Sequence, residues 1–67
     1  MLMYSARPTD RMLTMTPMEV HIWNLLNSRG PMDAPGIVRN TRGDYFDIMQ
    51  TIHNMAHQGD IEPKEAN

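Results

Sequence analysis

The chain has 67 residues, no cysteine and a formal net charge of −2. That length allows a single domain, near the size at which one hydrophobic core barely outweighs chain entropy. It also excludes disulfides and thiolate zinc sites as staples, and the acidic balance works against a phosphate-gripping surface. Hydrophobic residues make up 40% and charged residues 21%, which is a globular composition rather than a disordered one. No apolar run approaches the roughly 20 residues of a membrane span. Arg7, Asp10 and Arg11 interrupt the N-terminus where a signal peptide would be apolar, so a cytoplasmic protein with no membrane partner is expected.

Residues 1–15 carry no clear period and are expected to form an N-terminal arm. Pro8-Thr9-Asp10 reads as a turn, and Arg11 to Thr14 as a short extended segment.

Thr16-Pro17-Met18-Glu19 announces the first helix. Thr16 caps, Pro17 suits the first helical position, and Glu19 bonds back to the cap. Met15 and Val20 have the spacing of a hydrophobic staple. Met18, Ile22, Leu25 and Leu26 form the apolar face, with Trp23 packed on its flank, and Gly30-Pro31 stops the helix. A second, shorter helix opens at Asp33 and turns Ile37 and Val38 inward, with Gly36 weakening it by ~1 kcal/mol relative to alanine. Asn40-Thr41-Arg42-Gly43 is the turn that closes it. Asp44 caps a third helix whose buried stripe is Ile48, Ile52, Met55 and Ala56, and Gly59 ends it. Asp60-Ile61-Glu62 is a brief strand, and residues 63–67 are a polar tail. The expected core brings Ile37, Ile48, Ile52 and Met55 together beneath Leu25. The chain's eight methionines are read chiefly as flexible core filling.

Met32, Asp33, Ile37 with Val38, Asp44, Ile48, Ile52, Met55, Gly59 and Ile61 follow one another at spacings that resemble the winged helix-turn-helix family of bacterial and phage regulators. The resemblance covers residues 16–62. It implies a mainly α fold, a three-helix winged helix-turn-helix with a short or incomplete β-wing. Two departures stand out: Thr41 and Gly43 occupy turn positions that are commonly apolar in that family, and only eight residues follow Gly59.

The family role implies a small DNA-binding transcriptional regulator, dimeric, presenting helix three to the major groove of double-stranded DNA. The groove-facing residues would be Tyr45, Phe46, Asp47, Met49, Gln50, His53 and Asn54. Gln50 and Asn54 have the amide geometry that reads adenine. Arg39 and Arg42 would hold the backbone, and Arg7 and Arg11 would act as an arm. A solvated polar face is the plainer reading of Gln50 and Asn54.

The alternative function is a protein–protein interaction module, which the acidic charge, the methionines and the missing wing suit better. A purely structural helical oligomer is a third reading. Arginines gathered on the face of helix three favour DNA, whereas scattered arginines beneath an acidic helix favour a protein partner. His53 and His57 stand one helical turn apart, yet no third ligand is evident, so neither a metal nor any other cofactor is assigned. Neither Ser5 nor Ser28 has a paired base in view and no glycine-rich phosphate loop is present, so no enzyme activity is expected.

Overall fold

A computed structural model describes residues 1–66. Its elements run β1 (Leu2–Ala6), a 3-10 turn (Met12–Thr14), α1 (Pro17–Arg29), β2 (Met32–Asp33), α2 (Ala34–Arg39), α3 (Tyr45–Gln58) and β3 (Ile61–Glu65). The three strands form one antiparallel sheet in the order β2-β1-β3. The fold is therefore mixed α and β, and the mainly α winged arrangement implied by the family resemblance is overturned.

The residues expected to form a loose arm supply the central strand. Met3 and Tyr4 pair with Asp33 and Met32 on one side, and Leu2 to Ala6 pair with Glu65 to Ile61 on the other. Two flanking bonds close this ladder: Arg7 N donates to the Asp60 carbonyl at 3.0 Å, and Ala66 N donates to the Met1 carbonyl at 2.8 Å. A five-residue strand has little intrinsic signal, because strand preference mostly reports what packs beside it. Here the deciding partners are far away in sequence. The brief strand after Gly59 likewise runs on through Pro63 to Glu65, into the expected tail. Proline is tolerated there because β3 is an edge strand, where a missing N–H can face outward. Asn67, the last residue of that tail, lies outside the described residues. The segment expected to be extended at Arg11 to Thr14 closes into a 3-10 turn, with Thr14 N donating to the Arg11 carbonyl at 2.9 Å.

The helices follow the caps. Thr16 Oγ1 accepts from Glu19 N at 3.2 Å while Glu19 Oε1 accepts from Thr16 N at 2.8 Å, which is the reciprocal capping box. Asp33 caps α2 by accepting from Gly36 N at 2.8 Å. Asp44 caps α3 by accepting from Phe46 N at 3.2 Å, and Gly59 closes α3 in the left-handed conformation at φ 86°.

Ile22 and Leu26 of α1, Ile37 of α2, and Ile48, Ile52 and Met55 of α3 meet Tyr4, Met15 and Ile61 in one buried cluster. Leu25 is buried but stands apart from that cluster, so the core converges on Ile22 and Leu26 rather than beneath Leu25. Met12, Met18, Met32 and Met49 pack against its margin, in keeping with methionine as a filler of irregular gaps.

Candidate functional site

Helix α3 turns Ile48, Ile52 and Met55 into the core, which leaves Tyr45, Phe46, Gln50, His53 and Asn54 exposed and Met49 half-buried. Periodicity alone places these residues on the free face. Its first turn holds the largest apolar exposure of the helix: Phe46 is 78% and Tyr45 59% exposed, with the two rings edge to face at 6.1 Å. Gln50 Nε2 donates to Asn54 Oδ1 at 3.3 Å, so the two amides partly satisfy each other. The face carries the carboxylates of Asp44 and Asp47 and no lysine or arginine between residues 44 and 58.

The arginines are dispersed. Arg11 binds the buried Asp60 with two nitrogens, Nε at 3.1 Å and Nη2 at 2.7 Å from Oδ2, and Nη2 also reaches Glu19 Oε2 at 3.3 Å. Thr9 Oγ1 donates to Asp60 Oδ1 at 2.8 Å. The hydrogen bonds from Arg11, foremost, and from Thr9 hold the Asp60 carboxyl below its ordinary range, against a desolvation that pushes it up. Asp60 in turn raises the Arg11 guanidinium above its ordinary value. Arg7 pairs with Glu62 at 3.3 Å, and its carbonyl accepts from Trp23 Nε1 at 2.8 Å. Trp23 thus ties α1 to the end of β1. Neither Arg7 nor Arg11 extends as an arm; both brace the sheet.

Arg39 and Arg42 remain. They lie with Pro17, Met18, His21, Asn40 and Thr41 around an open concavity of about 760 Å³ between the start of α1 and the α2–α3 turn. His21 Nε2 donates to the Asn40 carbonyl at 2.7 Å, which fixes the ring in the wall of this groove. No local spacing marks this groove, because it joins residues of α1 to a turn some twenty positions later. The lone clue was that Arg39 and Arg42 have no acid at helical spacing on α2, a short helix with none of its own.

His53 and His57 are both exposed, and no group of three or more metal-ligating side chains occurs among the described residues. No helix among them is long and apolar enough to cross a membrane. Comparison of the chain with family models, with curated proteins and with solved structures finds no match.

Proposed function

We propose that this protein is a protein-interaction module that presents the outer face of α3 to a protein partner. The observation that carries the reading is the character of that face: two carboxylates, no lysine or arginine and an exposed aromatic pair. A phosphate backbone approaching α3 would meet Asp44 and Asp47, while Arg7 and Arg11 are tied up in pairs with Glu62 and Asp60, and the unpaired Arg39 and Arg42 line the groove beside α1, off the α3 helix itself. Aromatic side chains with one edge in water suit a protein surface instead, where they dominate binding energy once desolvated.

The exposed amides of Gln50 and Asn54 favour the DNA-binding reading as the second one. Dimerisation would raise a weak DNA affinity, whereas the protein-binding role does not require it. The reading assigns binding and no catalysis to the chain, and keeps a cytoplasmic setting, in which a chain without cysteines needs no oxidised staple.

The test pairs two measurements. A two-hybrid selection against a protein library uses the full chain as bait and Phe46→Ser as counter-bait, with circular dichroism confirming that the variant folds. Partners that bind the native chain and are lost with Phe46→Ser are expected. An electrophoretic shift with mixed duplex DNA at low and high salt is expected to show no retardation. Retardation at low salt that Gln50→Ala and Asn54→Ala abolish would establish the DNA reading instead. Partners indifferent to Phe46→Ser would overturn the assignment of the face.

A further inference from the structure

The groove between α1 and the α2–α3 turn combines features that a folded chain rarely leaves idle. Among the described residues, every ion pair involves the N-terminal amine, Arg7 or Arg11. Arg39 and Arg42 therefore have no carboxylate at ion-pair distance, although both line the same concavity. The nearby acids are occupied elsewhere. Glu19 takes up Thr16 N and Arg11, Asp33 caps Gly36 N, and Asp44 caps Phe46 N. Arg39 Nη2 lies 3.9 Å from the point where a Cβ on Gly36 would stand.

Thr41 lines the groove too, but its hydroxyl oxygen is buried beneath the surface, without a hydrogen-bond partner among the described residues and out of reach of a group seated in the groove. The turn that carries it is already fixed from three sides. Asn40 Oδ1 accepts from Arg29 Nη1 at 3.2 Å, Asn40 Nδ2 donates to the Gly36 carbonyl at 2.8 Å, and the Asn40 carbonyl accepts from His21 Nε2. A ligand would not have to order this backbone, which lowers the cost of binding. The opposite wall, Pro17 and Met18, is apolar.

We propose that this groove is an oxyanion site that takes a phosphate monoester, with the phosphate on Arg39 and Arg42 and the ester's apolar substituent against Pro17 and Met18. Guanidinium forks match the paired oxygens of such a group. An apolar wall beside two cations distinguishes an ester from free phosphate. The site is separate from the aromatic face of α3 and does not depend on that face binding a protein.

The experiment is a titration of the full-length ¹⁵N-labelled chain with phenyl phosphate, with orthophosphate and with benzyl alcohol, at constant ionic strength held with chloride. Saturable shifts at Met18, His21, Thr41 and Arg42 are expected with phenyl phosphate. Orthophosphate should bind more weakly, and benzyl alcohol should leave those signals unmoved. Arg42→Gln should weaken phenyl phosphate about tenfold, as for the loss of one charge-assisted contact. Shifts that fail to saturate and spread equally over Arg7 and Arg29 would overturn the site. An unchanged affinity in Arg42→Gln would do so as well, and equal affinity for the two anions would overturn its assignment to an ester.

Discussion

Asp60 is 1% exposed, and among the described residues its side chain is met by Arg11 and Thr9. The two partners of this pair are not equivalent. Replacing Arg11 with methionine strands a buried carboxylate, which costs about 3–5 kcal/mol in comparable pairs. Asp60→Asn removes the buried charge but leaves an Arg11 that is 30% exposed and still reaches Glu19. Urea unfolding is therefore expected to rank Arg11→Met as the more destabilised of the two. Because the Asp60 carboxyl is held below its ordinary value of 3.8, its contribution is present in full above that pH and is lost as pH falls through the lower folded value. Asp60→Asn should accordingly flatten the loss of stability on the acid side of pH 5 or so; an unchanged acid slope would show that other carboxylates control it. Two glycines also matter at this scale. Gly43 sits at φ 139°, and a Cβ there would lie 2.8 Å from Met18 Cε, so Gly43→Ala should cost about 1–3 kcal/mol in thermal unfolding. At Gly36 an added Cβ would lie 2.9 Å from the Asp33 oxygen that caps α2. The glycine that weakens the helix by propensity thus makes room for its cap, and Gly36→Ala gains about 1 kcal/mol of propensity against a cap of similar worth.

Elements in this chain differ in what forms them. α1 carries its own start and stop signals, so Thr16→Ala should cost about 1 kcal/mol through the lost cap while leaving the helix bounds intact. β1 has no such signals, yet it is paired on both sides. A variant that begins at Met12 would lose the central strand, expose the edges of β2 and β3, and remove Tyr4 from the core. It is expected to lose cooperative thermal unfolding and its near-ultraviolet circular dichroism. A sharp transition in that variant would show that the helices stand without the sheet.

Across the whole molecule, one cluster joins every element. Ile52 is fully buried at the middle of α3, and Ile52→Ala should destabilise the domain by about 2–5 kcal/mol. That is comparable with the total stability of so small a fold, so the variant is expected to be largely unfolded at 37 °C by circular dichroism. Charge is arranged on the same scale. The sheet side gathers the ion pairs of Arg7 and Arg11, the groove keeps Arg39 and Arg42 unpaired among the described residues, and the face of α3 is acidic and aromatic. The proposed protein-binding face and the proposed oxyanion site follow from that separation.

Periodic apolar spacing and capping residues determined all three helices, and with them the inward positions of Ile22, Ile37, Ile48, Ile52 and Met55, because a helix is built from contacts three and four residues apart. The exposed set on α3, from Tyr45 to Asn54, was legible for the same reason. The sheet, the role of Arg11 and the groove were decided only in three dimensions. Strand pairing joins Leu2 to Glu65, an ion pair joins Arg11 to Asp60, and the groove joins Met18 to Thr41. Such meetings depend on how the elements pack together, and no local spacing in the chain encodes them.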